Sequence, residues 1–165
     1  ENWELGYGAL KVKDGELFQE DDYGGAFYVG NATWPENISR EWSDYVFQAK
    51  LKVNSWNPSE GEIQIGLQVR YKDDNNRYFF YYSKKDNYLY LEKLINGESE
   101  LLGSAPFTFD TNTYYTFKTD LEGANINCYV DGVLKISVVD SSISTGKVGL
   151  ISHGNSAVFD DVMLK

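Results

Sequence analysis

The sequence predicts an all-β fold, a two-sheet sandwich of the jelly-roll kind. Three observations carry this: many short stretches alternate apolar and polar residues, turn dipeptides separate them at regular intervals, and no window sustains a 3.6-residue period. The number of strands favours a jelly roll over a smaller sandwich. With 165 residues, positions 1–165 are expected to form one domain that buries its core without disulfide or metal staples.

Taken in order, Leu10 and Val12 precede Asp14-Gly15 and Leu17 follows it, a short hairpin with a primed turn. An acidic loop, 20–25, leads to a brief strand over 26–29. The longest irregular stretch, 30–42, holds Trp34, Pro35 and Trp42 together with the glycosylation-type triplets at Asn31 and Asn37. Strand 45–53 points Tyr45, Phe47, Ala49, Leu51 and Val53 to the core, with Asp44 and Lys50 on the polar side.

The centre of the chain, 62–102, reads as four strands joined by tight turns. Its first strand alternates Ile63, Ile65, Leu67, Val69 and Tyr71 with Gln64, Gly66, Gln68 and Arg70. An aromatic strand 78–82, a turn at Asp86-Asn87, and strand 88–95 follow, and Asn96-Gly97 makes a type I′ turn into 98–102. Strand 114–121 comes next, then 126–130 paired with 133–138 across Asp131-Gly132. The chain closes with 148–152 and 157–164, read as a hairpin around His153-Gly154-Asn155.

Composition narrows the partners. Aromatic residues make up 16% of the chain, with 13 Tyr and 4 Trp. A core alone does not require so many, since a buried Tyr must find a partner for its hydroxyl, so part of the set is expected on a surface. A net charge of −10 argues against nucleic acid and anionic membrane, whose phosphates would be repelled, and favours a neutral or cationic partner. Cys128, the lone cysteine, permits no internal disulfide and is expected in a buried strand beside Ile126 and Val130. No apolar run has membrane-spanning length and no leader is visible, which predicts an excised module or a mature product.

Catalytic constellations are sparse. His153, the single histidine, sits at a turn with no orienting carboxylate in view and is read as an exposed loop residue within reach of a ligand. Glycoside hydrolysis needs two carboxylates across one bond. Glu62-Ile63-Gln64-Ile65 is similar to a broken form of the acidic strand of laminarinase-type hydrolases, with Gln64 where the Asp would stand. Asp73-Asp74-Asn75-Asn76 lacks the spacing of an EF-hand and is read as a solvated turn. In the last strand one of Asp160 and Asp161 is expected to be partly buried, and such a carboxylate needs a cation, a donor cluster or a metal.

Several motifs together carry a resemblance that spans nearly the whole chain. They are Trp42-Ser43-Asp44-Tyr45-Val46-Phe47, the strand from Gly66 to Tyr71, Asn76-Arg77-Tyr78-Phe79-Phe80, Leu91-Glu92-Lys93 with Asn96-Gly97, Tyr129-Val130-Asp131-Gly132, Gly146-Lys147-Val148-Gly149-Leu150, and Ala157-Val158-Phe159-Asp160-Asp161-Val162. The chain resembles the concanavalin A-like jelly rolls of the laminin-G and levan-binding (family 66) carbohydrate-module type. The resemblance implies a non-catalytic, monomeric module attached to a secreted or cell-surface bacterial enzyme that degrades polysaccharide. It also implies a structural calcium near the closing strand, pointing first to Asp160, with Asp161, Glu16 and Asp21 as further candidates. No residue signature for levan itself is present.

The expected sugar site is therefore Arg70 and Gln68 on the central strand with Asp44 on the polar face of another, plus ring platforms from Tyr78, Tyr82, Trp42 or Trp34. Guanidinium and carboxylate hold paired hydroxyls, and a ring face packs on the C–H side of a sugar. Arg70 in a surface ion pair with Asp44 or Glu92 is the plainer alternative. Trp34 and Trp56 serve equally well as loop anchors. An adhesion or protein-interaction domain of laminin-G type and a glycosidase or lyase are the competing functions.

Overall fold

The computed structural model describes residues 3–7, 10–19, 25–30 and 41–165. Fourteen strands are present among them: β1 (Trp3–Tyr7), β2 (Leu10–Lys13), β3 (Glu16–Gln19), β4 (Gly25–Gly30), β5 (Tyr45–Trp56), β6 (Gln64–Asp73), β7 (Asn76–Ser83), β8 (Tyr88–Ile95), β9 (Glu98–Pro106), β10 (Tyr115–Glu122), β11 (Asn125–Val130), β12 (Val133–Val139), β13 (Lys147–His153) and β14 (Asn155–Leu164). Sheet A runs β1-β4-β13-β6-β7-β8-β9 and sheet B runs β12-β11-β10-β5-β14-β3-β2, all neighbours antiparallel. The all-β jelly-roll sandwich predicted from alternation is the fold observed.

The three expected primed turns form as their residues require. Both central residues have positive φ at Asp14-Gly15 (54°, 89°), Asn96-Gly97 (52°, 84°) and Asp131-Gly132 (49°, 78°), which matches the right-handed twist of the flanking strands. The closing hairpin does not form. β13 belongs to sheet A and β14 to sheet B, so the chain crosses between sheets at Gly154. Both segments are apolar enough to line a core, and local patterning cannot distinguish a hairpin from a crossover.

The core lies between the sheets. Tyr45, Phe47, Ala49, Leu51 and Val53 of β5 line it from sheet B, as alternation predicts, with Phe117, Leu121, Ile126 and the thiol of Cys128. Ile65, Leu67 and Val69 face them from β6, and the Phe80 and Phe117 rings meet across the middle at 5.1 Å. Burial pushes the Cys128 thiol well above its usual range, so it stays protonated and inert.

The pairing of β6 with β7 decides which side chains face out. Ile65 lies opposite Tyr82, Leu67 opposite Phe80 and Val69 opposite Tyr78. Directly opposed residues share a face, so Tyr78, Phe80 and Tyr82 are core, while Arg77, Phe79, Tyr81 and Ser83 face outward with Gln64, Gly66 and Gln68. Gly66 is closed in by β7. A Cβ there would lie 2.1 Å from the Phe80 carbonyl oxygen and 2.8 Å from Tyr81 Cβ, so the missing side chain is what lets β7 pack at this point.

Candidate functional site

Several residues expected at a sugar site are placed elsewhere. Arg70 is 1% exposed, with φ at 47° and a register shift in β6 between Val69 and Asp73. The left-handed residue breaks the alternation, so Arg70 turns inward after Val69, and Tyr71, expected in the core, is left half-buried. The Arg70 guanidinium donates to three carbonyls from three separate loops: Ile143 (2.9 Å), Ser43 (3.1 Å) and Gly123 (2.6 Å). Its backbone N–H donates to the Tyr45 hydroxyl at 2.8 Å. Gly146 lets its loop close over this corner, since a Cβ there would lie 2.3 Å from the Arg70 carbonyl carbon.

Asp44 joins the same corner. It is exposed in the bend before β5 and accepts the Gly123 N–H at 2.8 Å. Asp44 and Arg70 therefore grip opposite ends of one residue and form no ion pair with each other. Glu92, the other partner considered for Arg70, accepts instead from Tyr81 and Ser99.

Tyr78 and Tyr82 are core residues with no ring face in solvent. The Tyr78 hydroxyl donates to Asp140 (2.6 Å) and accepts the Ile143 N–H (3.1 Å), and the Tyr82 hydroxyl donates to Asn87 (2.6 Å). Burial, with help from Asp140, pushes the Tyr78 phenol up to about 12. Trp42 is half-buried against the core in a bridge to Gly146, and Trp56 packs on Tyr82 and Phe109, both acting as loop anchors. Gln68 points to the outer side of sheet A but is 0% exposed, and among the described residues neither of its amide atoms has a hydrogen-bond partner. Trp34 lies outside the described residues.

The proposed metal ligands do not assemble among the described residues. Asp161 (φ 46°) sits in a bulge of β14 and pairs with Lys50 at 2.6 Å, and the Asp160 carboxylate accepts the Asp161 N–H at 2.8 Å. Glu16 accepts the Tyr114 hydroxyl. No group of three acidic, His or Cys side chains is placed to hold an ion among the described residues, and Asp21 lies outside them.

What the structure does bring together lies on the outer face of sheet A. A groove of about 630 Å³ crosses β13, β6, β7 and β8 and is lined by Gln64, Phe79, Tyr81, Tyr90, Glu92 and His153, among others. Tyr81 and Tyr90 are register partners with ring centroids 5.6 Å apart, and Tyr88 stacks beyond Tyr90 at 6.1 Å. Each of the first two is fixed by a carboxylate: Tyr81 donates to Glu92 at 3.0 Å, and Tyr90 donates to Asp86. The bond to Asp86 and partial burial push the Tyr90 phenol up to about 12, while burial and then Glu92 push Tyr81 higher still. Both rings therefore stay neutral. The Arg77 guanidinium lies over the Phe79 ring at 4.5 Å and donates to Asp74 at 3.2 Å. His153 faces Glu60 across 3.6 Å at the far wall.

This set was legible in part. His153 and Gln64 stood out in the sequence, but Tyr81 and Tyr90 did not, because a run of aromatic residues in one strand leaves open which ones face out. The hairpin register was the available signal: counted back from Asp73-Asn76 it sets Val69 opposite Phe80 and Leu67 opposite Tyr82, and the two-residue slip at Arg70 keeps the same residues of β7 inward.

No protein-family model matches the chain. A curated relative, levanase from Bacillus subtilis (strain 168), is 27% identical over 148 residues, which cover 80% of this chain; the chain spans 21% of that protein's length. Among solved structures, the carbohydrate binding module CBM66 from Bacillus subtilis superposes with a TM-score of 0.80 at 23% identity, covering 99% of this chain and 94% of that one. Alginate lyase AlgAT5 from polysaccharide lyase family 7 superposes with a TM-score of 0.71 at 14% identity, covering 99% and 94%. The chain is a two-sheet antiparallel jelly roll similar to the family 66 carbohydrate-binding module, the type that its sequence motifs resemble.

Proposed function

We propose that the chain is a non-catalytic carbohydrate-binding module that holds a polysaccharide in the groove on sheet A. One observation carries this reading: Tyr81 and Tyr90 form a neighbouring pair of rings fixed in place on a half-buried sheet face, with Gln64, Glu92 and His153 around them. Ring faces pack on the C–H side of a sugar, and the surrounding acceptors and donors orient its hydroxyls. The likeness to CBM66 and to a segment of levanase supports the same reading. As one part of a longer secreted or cell-surface enzyme, such a module would keep the catalytic part on its glycan.

Affinity electrophoresis on levan, xylan, dextran and alginate tests it. Retardation by at least one polysaccharide, lost when Tyr81 and Tyr90 are both changed to Ala at unchanged fold, supports the reading. Retardation that survives the double change moves the site off this face.

The second reading is a lyase or glycosidase, favoured by His153 in the groove and by the alginate lyase of the same fold. Raised phenol pKa values at Tyr81 and Tyr90 work against a tyrosinate base, which leaves His153 as the basic group for an elimination. Product release above a heat-killed control would establish activity. A structural calcium at Asp160 belongs to the main reading only with ligands from outside the described residues. A fall in melting temperature in chelator supports it, and an unchanged one removes it.

A further inference from the structure

The groove is unevenly charged, and that imbalance bears on which glycans it takes, provided it is the sugar site as proposed above. Among the described residues three carboxylates line it: Glu62, Asp86 and Glu92. Glu92 is placed near the centre, opposite Phe79 on β7 and Leu101 on β9. Its Oε1 accepts from Tyr81 at 3.0 Å and its Oε2 from Ser99 at 3.2 Å. Both donors are neutral hydroxyls, so they hold the carboxylate in place without cancelling its charge. Asp86 is held by Tyr90 in the same way.

Among the described residues the cationic side chains that line the groove are Arg77 and Lys85, with His153 beside them. Arg77 is engaged by Asp74 at 3.2 Å, with its guanidinium 4.5 Å from the centre of the Phe79 ring, so its charge is met by a carboxylate outside the groove. Lys85 is exposed on the turn after β7. His153 faces Glu60, a further carboxylate, at 3.6 Å. The whole chain adds a net charge of −10.

We infer that the groove takes uncharged polysaccharide and rejects uronate polymers, and that Glu92 is the residue that discriminates. A hydroxyl donates to the free lone pairs of a fixed carboxylate, a charge-assisted bond. A uronate laid on the Tyr81–Tyr90 platform would instead bring a second carboxylate beside Glu92 in a partly dry groove, and like charges there repel strongly.

The test compares glycans that differ only in charge. Levan, xylan and dextran are each titrated beside a carboxymethyl derivative and, as a neutral control of similar bulk, a hydroxyethyl derivative. The inference expects the carboxymethyl form of the bound polysaccharide to bind roughly tenfold or more weakly than the hydroxyethyl form at low salt. That gap should narrow at high salt and shrink in Glu92→Gln, which keeps an acceptor for Tyr81, and to a smaller degree in Asp86→Asn. Equal binding of the two derivatives, or a gap unchanged in a folded Glu92→Gln, overturns the inference and leaves the sugar site standing. If none of the parent polysaccharides binds, or binding ignores the Tyr81 and Tyr90 changes, the sugar-site reading fails and takes the inference with it.

Discussion

The outer face of sheet A and the buried corner at Arg70 are built from the same strand and from similar side chains, yet they do opposite work. Along β6, Gln64 opens onto the groove while Arg70, six residues on, is sealed beneath three loops. One backbone dihedral separates them: φ of 47° at Arg70 turns its guanidinium from the face of the sheet to the end of the sandwich. Planar donors and acceptors suit loop carbonyls as well as they suit sugar hydroxyls. The groove is thus a surface of rings and fixed carboxylates, and the corner is a clamp that holds the loops at one end of the sandwich.

The comparison breaks most easily at the clamp. Arg70→Ala should leave three carbonyls without their charged donor and open a cavity, costing about 3–5 kcal/mol. Chemical denaturation would read this directly, and any loss of sugar binding should track unfolding. A folded Arg70→Ala of normal stability that has lost binding would return Arg70 to the ligand site.

Next in size is the second knot at that end. Asp140 accepts from Tyr78 (2.6 Å), Lys93 (2.8 Å) and the Ser142 N–H (2.9 Å). Burial alone would raise its pKa, but the bonds from Lys93, Tyr78 and Ser142 outweigh burial and hold the carboxyl well below its usual range. A depressed folded pKa contributes stability that is present above the unfolded value near about 4 and is lost as pH falls toward the folded value. Asp140→Asn should cost about 1–3 kcal/mol at neutral pH, and its difference from the parent should shrink as the pH drops below about 4. A constant difference across that range would remove Asp140 from the acid response.

The groove should answer in binding and not in melting. Tyr90→Ala removes one ring of the platform at a site with little core contact, so binding to a retained polysaccharide should weaken roughly tenfold. Its melting temperature should change little. Equal losses in both would erase the distinction between the two regions.

Asp44→Ala gives the smallest expected effect and sharpens the boundary. It frees one exposed Gly123 N–H to water, costing about 0.5–1 kcal/mol, and should leave binding unchanged by calorimetry. A binding loss there would extend the sugar site to the loop end.

Sequence reasoning located most strands, and where it failed the cause is physical. The spans of β5, β8, β11 and β12 and the primed turns follow from alternation and from residues that tolerate positive φ, which are local properties. Arg70 is a bulky residue in a conformation that nothing in its neighbours demands. Its energy is recovered from Tyr45, Ser43, Gly123 and Ile143, which are 25, 27, 53 and 73 residues away. Tyr78 and Tyr82 were misplaced for a different reason: they share the core face with their cross-strand partners Val69 and Ile65, a pairing set between strands and not within either one.

Composition, alternation and turn chemistry by themselves determined that this protein is an acidic β-sandwich with more aromatic side chains than its core needs. Only the tertiary structure decided which tyrosines are surplus. Tyr78 and Tyr82 are consumed by Asp140 and Asn87 inside the sandwich, whereas Tyr81 and Tyr90, the same residue type on the same strands or the next, lie on the outer face against Glu92 and Asp86. The physical reason is that a side chain's face is set by strand register, and register is a sum over contacts between distant segments.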